Sequence, residues 1–178
     1  MELTNLGLVE HCKQALAMKT AYMWGCFGQK ITSSLIEAKH EQYPNNYSAA
    51  RRKVLAKLAE QGDVRGCDCA GLIKWYLWSS GDINGKIVYS AETDKGTTGF
   101  FNAAKVKGKI ETLPLGRLGV VVSKNGHLGI YVGDGKVIEC TLSGEKDGVV
   151  MTDLADGAWT DWYEIPYITY YCKCTASN

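Results

Sequence analysis

The sequence predicts an α+β fold, with helices in the first half of the chain and antiparallel strands in the second. Apolar residues recur at helical spacing in the first half, and short strand-like runs separated by turn residues begin near residue 118. The length of 178 residues suits one domain with a sizeable core. We therefore expect N-terminal helices packed on a central antiparallel sheet.

The composition is that of an ordinary globular protein. Hydrophobic residues make up 46% of the chain and charged residues 22%, with a net charge of +1. This charge balance gives no reason to expect a nucleic-acid partner, and no apolar run is long enough to insert into a membrane. The first fourteen residues, MELTNLGLVEHCKQ, carry an acid at position 2 and are too polar for a signal peptide.

Two helices are predicted before residue 47. The first runs from about Asn5 to Met18 and is amphipathic. The second is short, because Ser34 and Glu37 form a capping box that opens it and the residues YPNN at 43–46 close it. The first has Val9, Cys12 and Leu16 on one side, which should face the core.

A third helix should begin after Ser48, its N-cap, and end at Gly62. Its outer side is basic, and we expect that side to be solvated, with contact to an anionic polymer as the alternative. The basic residues are Arg51, Arg52, Lys53 and Lys57.

Strands are predicted at residues 118–124, 136–141 and 127–133 (HLGIYVG). The aromatic segment WYEIPYITYY, at 162–171, should supply another. Four tryptophans, which we assign to core packing, lie outside the predicted site: Trp75, Trp78, Trp159 and Trp162.

A cysteine begins a strongly apolar helix in the stretch RGCDCAGLIKWYLW, residues 65–78. Asp68 is the expected N-cap, which puts Cys69 in the first turn, on the same side as Leu72, Ile73, Tyr76 and Leu77. Backbone N–H groups and the positive end of the helix dipole favour a thiolate there and would stabilise an oxyanion beside it. Cys69 is therefore the candidate nucleophile, with Cys67 as its rival.

A thiol nucleophile needs a base, and the chain has three histidines. His11 and His40 lie on helical segments with nothing to mark them. His127 begins a strand, on which His127, Gly129 and Tyr131 face one way. The small Gly129 leaves room for another group to approach the imidazole.

Glu139, on the next strand, could orient the imidazole if the hairpin has the right register. A two-residue loop at 134–135 would put Glu139 on the opposite face from His127. A three-residue loop at 133–135 pairs Gly129 with Glu139 and leaves His127 and Glu139 as diagonal neighbours, roughly 7 Å apart at Cα. A three-residue loop needs a left-handed glycine at its last position, which Gly135 supplies, so the turn chemistry is compatible with this register.

Three blocks of the sequence resemble the NlpC family of cell-wall cysteine peptidases. DCAGLI is similar to the family's DC(S/G)GL, and GHLGIYVGDGKVIE to its H(V/I)G(I/V)Y(I/L)G(N/D)G followed by a polar residue. AYMWGC, at 21–26, resembles the upstream PYVWGG. The blocks occur in the family order and cover most of the chain from about residue 20 to 140.

The resemblance implies a papain-like α+β fold over residues 1–178, a single catalytic domain with a helical insertion at about 27–64 walling the groove. It implies a thiol protease that hydrolyses peptidoglycan stem peptides, typically after γ-D-glutamate, through Cys69, His127 and Glu139. Neither a cofactor nor a metal is implied. We expect a monomer that reaches cell wall or muropeptides outside the cell after non-classical release or lysis.

Three further residues carry over from the resemblance as candidate substrate contacts. Tyr22 would line the pocket and help to bind the oxyanion, and Asp68 would face the substrate's amine or the groove. Ala70 stands where many members have a serine that contacts the stem, so the stem recognised is left open.

Other functions remain open from the residues. The same machinery could perform acyl transfer or deamidation, although related lipid acyltransferases often place the cysteine after the histidine. A catalytically silent interaction module is a third possibility. A zinc site would pair Cys67 and Cys69 with Cys172 and Cys174, but one-residue spacing is tighter than zinc ligands usually have.

Overall fold

The structure is a computed structural model that describes residues 2–171. Its fold is α+β, as predicted, with most helices in the first half of the chain. The helices are α1 (Asn5–Ala17), α2 (Ser33–Gln42), α3 (Ala49–Ala59), α4 (Cys69–Trp78) and α5 (Thr97–Ala103). The strands are β1 (Thr20–Tyr22), β2 (Phe27–Lys30), β3 (Arg65–Cys67), β4 (Lys107–Lys109), β5 (Val121–Lys124), β6 (His127–Gly133), β7 (Lys136–Ser143), β8 (Lys146–Asp153) and β9 (Asp161–Tyr163).

The main sheet has six strands in the order β4-β9-β5-β6-β7-β8, and every neighbouring pair is antiparallel. A smaller sheet in the order β1-β3-β2 joins the two segments that flank the helices α2 and α3. In it β1 pairs with β3 in parallel and β2 pairs with β3 in antiparallel. The small sheet was not predicted, because strands of three or four residues are too short to show a period.

Helix α4 is the centre of the main core. It is apolar on nearly every side, and it packs on α1, β6 and β7. Trp75 is completely buried, as predicted, whereas Leu77, which was expected to share the Cys69 face, is only partly buried. A helix that is hydrophobic all round belongs inside a protein, so its buried face cannot be assigned to one stripe.

Two further apolar clusters complete the interior. One lies beneath α2 and α3 and contains Ile36, Tyr47 and Leu55. The other lies on the opposite face of the main sheet from α4 and includes Tyr131 and Trp159. The segment 27–64 contains β2, α2 and α3 and is not purely helical, and the cluster beneath its helices also includes Ala21, Met23 and Cys26 from the residues before it.

The helix caps are confirmed for α3 and wrong for α2. Ser48 Oγ accepts the N–H of Arg51 at 3.2 Å, as predicted. Helix α2 is capped by Thr32, whose Oγ1 accepts the N–H of Leu35 at 3.1 Å, and not by Ser34. Three consecutive hydroxyl residues, Thr32, Ser33 and Ser34, occur at the start of this helix, and the sequence alone does not single out which of them is the cap.

The strand predictions are confirmed for β6, which spans His127–Gly133, and extended for β7, which continues to Ser143. β8 was missed, because KDGVVMTD mixes charges and a glycine with its apolar residues. The aromatic segment contributes only its first two residues to β9. Within residues 2–171, no helix is long and apolar enough to cross a membrane.

Candidate active site

Cys69 is the first residue of α4, where the local sequence fixes its position. Asp68 Oδ1 accepts the N–H of Gly71 at 2.6 Å, which caps the helix. A Cβ on Gly71 would lie 1.9 Å from the carbonyl oxygen of Cys26, so only glycine allows this close approach. The cysteine at the head of the motif is therefore held against the loop that follows β1.

Cys69 is 5% exposed. Its thiol is not ionised, although the sequence predicts a position that favours the thiolate. Burial raises the pKa of Cys69 to about 12, and the Asp68 carboxylate adds to this. The backbone N–H groups of Leu128, Ala70 and Cys69 itself lower the pKa, which is the predicted effect, but burial outweighs them. Cys69 is thus a neutral thiol at pH 7 in this state, and a base must remove its proton.

Asp68 is buried, and both of its carboxylate oxygens accept backbone hydrogen bonds. Besides the bond to Gly71, Oδ2 accepts the N–H of Gly25 at 2.7 Å. Burial raises the pKa of Asp68, while these two bonds act to lower it. Its first role in the structure is to join the start of α4 to the preceding loop, and its contact with a substrate stays a prediction. Ala70 is also buried.

The loop between β6 and β7 has two residues, so the predicted three-residue loop is wrong. Asp134 and Gly135 both have left-handed backbones, at φ +49° and +66°, as a type I′ turn requires. A β-bulge between Tyr131 and Gly133 supplies the extra residue that the loop lacks.

This bulge shifts the register by one residue. Beyond it, Ile130 pairs with Ile138, and a Cβ built on Gly129 would lie 3.2 Å from the Cβ of Glu139. His127 and Glu139 therefore share a face of the sheet. A two-residue loop without the bulge would put them on opposite faces.

His127 and Glu139 are hydrogen-bonded through His127 Nε2 and Glu139 Oε2, 2.5 Å apart. Thr152 Oγ1 donates to the other oxygen, Glu139 Oε1, at 2.6 Å. Burial alone would raise the pKa of Glu139, but the bonds from His127 and Thr152 and nearby positive charge lower it overall. Because an ionised Glu139 only accepts, Nε2 carries a proton, and Nδ1 is left as the proton acceptor of a neutral ring.

Trp159 is stacked on the His127 ring, with centroids 5.7 Å apart and planes inclined by 16°. On its ring lies the ammonium of Lys124, 4.9 Å from the centroid, which also donates to the carbonyl of Gly157 at 2.7 Å. Trp159 is buried, in agreement with the prediction of core packing, but it also fixes the plane of the imidazole. Nothing in the sequence indicated this contact.

Tyr22 lies near Cys69 at the end of β1. Burial raises the pKa of Tyr22, and the neighbouring Cys69 and Asp68 raise it further, so its hydroxyl is a donor at neutral pH. Its backbone N–H donates to Asp147 Oδ1 at 2.8 Å, and its carbonyl accepts from Arg51 at 2.5 Å.

Arg51 completes this arrangement by binding Asp147 with two nitrogens, at 2.6 and 2.8 Å. The Arg51 side chain is 13% exposed, so the expectation of a fully solvated basic face is wrong for this residue. The clamp ties α3, β1 and β8 together.

Two cavities flank His127. One, of about 440 Å³, is lined by Tyr22, Trp24, Asn45, Asn46, Tyr47, Arg51, His127, Thr141 and Leu142. The other, of about 360 Å³, is lined by Lys124, His127, Glu139, Thr141, Ser143, Lys146, Thr152, Asp156 and Gly157. The imidazole thus lies between two openings, as it would in the middle of a groove.

Across residues 2–171, no hydrogen bond joins Cys69 to His127. Catalytic hydrogen bonds often form only when substrate is bound, so this arrangement is compatible with a thiol–imidazole pair. The catalytic roles of Cys69, His127 and Glu139 stay predictions.

Cys67 is completely buried, and its sulfur lies 3.3 Å from that of Cys140. In the described part of the chain, no group of three metal-ligating side chains is found. Cys172 and Cys174, which a zinc site would need, lie outside the described residues.

The site thus combines a thiol at a helix start with a carboxylate-bound histidine on an antiparallel sheet. No family model matches the chain, and no curated protein matches it significantly. Several solved structures are similar to it. The peptidoglycan hydrolase RipB of Mycobacterium tuberculosis is 16% identical with a TM-score of 0.49, covering 90% of this chain and 66% of its own.

Two others show the same level of similarity. NlpC1 of Trichomonas vaginalis is 15% identical with a TM-score of 0.45, covering 88% of this chain and 44% of its own. The P60 domain of antigen MAP1204 of M. avium subspecies paratuberculosis is 15% identical with a TM-score of 0.49, covering 90% and 96%. The chain spans less than two thirds of the length of RipB and about half or less of NlpC1.

Proposed function

We propose that the protein is a cysteine peptidase that hydrolyses peptidoglycan stem peptides, cutting between γ-D-glutamate and the following diamino acid. The observation that carries this proposal is the His127–Glu139 pair, whose free Nδ1 can serve the buried thiol of Cys69. The motif resemblance supplies the substrate class. Nothing in the mechanism requires a metal or a cofactor.

In the first half of the reaction, Cys69 Sγ attacks the scissile carbonyl carbon while its proton passes to His127 Nδ1. Because the pKa of Cys69 is raised, proton removal accompanies the attack and does not precede it. The negative oxygen that develops would be bound by N–H groups at the start of α4 and by the Tyr22 hydroxyl. The ionised Glu139 stabilises the imidazolium.

In the second half, the tetrahedral intermediate collapses to a thioester, and His127 gives its proton to the leaving amine. Water then attacks the thioester carbon and loses a proton to His127. The new acid departs, and Cys69 recovers its proton. Trp159 and Glu139 hold the ring in one orientation throughout.

Residues 27–64 are proposed to form one wall of the groove, since Asn45, Asn46, Tyr47 and Arg51 line the cavity beside His127. We further propose that the protein is monomeric and acts on cell wall outside the cell.

The proposal is tested by digesting purified cell walls and identifying the released muropeptides by mass spectrometry. The expected products end in γ-D-glutamate or begin with the free amine of the diamino acid. The Cys69→Ala variant should release no muropeptides. Cys67 is a buried thiol two residues away, and the matched Cys67→Ala variant should keep most of the activity. Release of other products, or equal loss in two folded variants, would contradict the proposal.

A further inference from the structure

The cavity of about 440 Å³ beside His127 contains no unpaired charge among its lining residues. Only two of them can be charged. Arg51 is neutralised by its two bonds to Asp147, and His127 is bound to Glu139. A carboxylate or ammonium group of a ligand would find no free counter-charge here. The cavity therefore suits an uncharged polar ligand.

An aromatic face and two amides give this cavity its chemistry. Trp24 is 43% exposed, and the hydroxyl of Tyr47 donates to its carbonyl at 2.7 Å, which fixes the backbone beneath the indole. Asn45 and Asn46 are exposed on the short 3-10 turn that follows α2. Among residues 2–171, their side-chain amides have no protein partner, so each can offer a donor and an acceptor to a ligand.

We infer that this cavity binds a saccharide, namely the sugar that carries the stem peptide, and this inference rests on the proposed function. The indole presents an apolar face that matches the C–H face of a pyranose ring. The amides match hydroxyl and acetamido groups, which both donate and accept hydrogen bonds. The volume lies in the range of small-ligand sites.

The second cavity supports this orientation of the substrate. It contains the ammonium groups of Lys124 and Lys146 and the carboxylate of Asp156, and it lies on the Glu139 side of His127. The ionised groups of a diamino acid would find counter-charges there. The groove is thus neutral and aromatic at its sugar end and charged at its peptide end, with the imidazole between them.

Binding is tested first without catalysis. Chitotriose, an uncharged trisaccharide of N-acetylglucosamine, is titrated into the wild-type protein while the indole N–H signals are followed by NMR. The Trp24 signal, identified by its loss in Trp24→Phe, should shift in a saturable way. Trp24→Ala should weaken the affinity for chitotriose about tenfold, which is the size of effect expected for one aromatic contact. Leu115→Ala, which removes exposed apolar surface outside both cavities, should bind within about twofold of wild type.

Specificity is tested next by comparing kcat/KM for a disaccharide-tetrapeptide and for the same tetrapeptide without sugar. The wild type should prefer the glycan-linked substrate by about tenfold, and Trp24→Ala should reduce this preference to within about twofold. Cleavage of both substrates at equal rates, with no saturable chitotriose shift, would overturn the saccharide site and leave the peptidase standing. If neither substrate is cut, the peptidase proposal fails, and the chitotriose titration alone decides the saccharide site: a saturable shift supports it, and none overturns it.

Discussion

The imidazole of His127 is restrained from three directions. Glu139 accepts a hydrogen bond from Nε2, Thr152 holds the far oxygen of Glu139, and Trp159 stacks on the ring. Such a chain of contacts selects one tautomer and one plane of the imidazole. Nδ1 is therefore the ring nitrogen that is left to accept a proton.

Substitutions of Glu139 should lower activity in a graded order. Glu139→Gln keeps a hydrogen bond to Nε2 but no longer stabilises the imidazolium, so kcat should fall by about tenfold, and by more in Glu139→Ala. Cys69→Ala should be the least active of all. Thr152→Val removes only the hydrogen bond from Thr152 to Glu139, so it should lower kcat by less than Glu139→Gln does. The measurement is the rate of stem-peptide cleavage, and wild-type activity in a folded Glu139→Ala variant would remove Glu139 from the mechanism.

The hairpin formed by β6 and β7 shows how a register depends on more than its turn. The two-residue turn alone would put His127 and Glu139 on opposite faces of the sheet. Only the bulge before Gly133 brings these two side chains to one face. Gly129 is required by this alignment, because a Cβ there would lie 2.5 Å from Val137 Cγ1 and 3.2 Å from Glu139 Cβ.

Gly129→Ala should therefore destabilise the protein and reduce its activity together. Overpacking of a close strand pair typically costs about 1–3 kcal/mol of unfolding free energy, and displacement of Glu139 would loosen its bond to His127. Urea-induced unfolding and the cleavage rate measure the two effects. Gly116→Ala is the control, since a Cβ at this position meets nothing within 4 Å. If Gly129→Ala is as stable as this control, the strand pair can accommodate a Cβ at residue 129 and the prediction is wrong.

The Arg51 clamp joins three elements and holds the backbone of Tyr22. Arg51→Lys cannot keep two bonds to Asp147 and a third to the Tyr22 carbonyl, so we expect a loss of about 1–2 kcal/mol of stability and a higher KM. Arg52→Lys, one residue away on the same helix, changes an exposed pair with Glu37 and should alter stability by less than about 0.5 kcal/mol. Equal effects of the two substitutions would contradict a special role of Arg51.

For helices and strands, the sequence predicted a local feature correctly where only one residue could supply it. Asp68 and Ser48 could be predicted as caps because each is the one side chain of capping type directly before its helix, and each accepts the N–H three residues on, from Gly71 and Arg51. The bulge before Gly133 could not be foreseen, since a two-residue turn and a three-residue loop both satisfy the glycine at 135. Arg51 looked solvated because its partner, Asp147, lies 96 residues away in the chain.

Three elements that pack on the main core bring the site together. α4 carries Cys69 from the main core, and β6 carries His127 from the sheet, while β1 and its clamp add Tyr22. Burial gives this junction its rigidity and also keeps the Cys69 thiol neutral. The same burial places a titratable side chain, His11, inside the main core.

Acid should destabilise the whole fold through His11. It is 1% exposed, lies edge-on to Trp75 and Tyr76, and neither of its ring nitrogens has a partner among the described residues. Burial lowers the pKa of His11 from 6.5 to about 4, against a small opposing effect of Asp82. Between these values the unfolded chain binds a proton at this residue and the folded protein does not, so stability falls as the pH falls from 6.5 to 4.

The size of this shift corresponds to about 3 kcal/mol of unfolding free energy over that interval. Glu139 adds a further loss below its ordinary pKa of 4.5, since its folded pKa is lowered and its contribution disappears only when the carboxylate is protonated. His11→Leu has a similar volume and leaves no hydrogen-bond partner behind, so it should flatten the pH dependence between 6.5 and 4. Urea unfolding at several pH values measures the slope, with His40→Gln on α2 as the matched control. A slope that His11→Leu leaves unchanged would show that other groups govern acid unfolding.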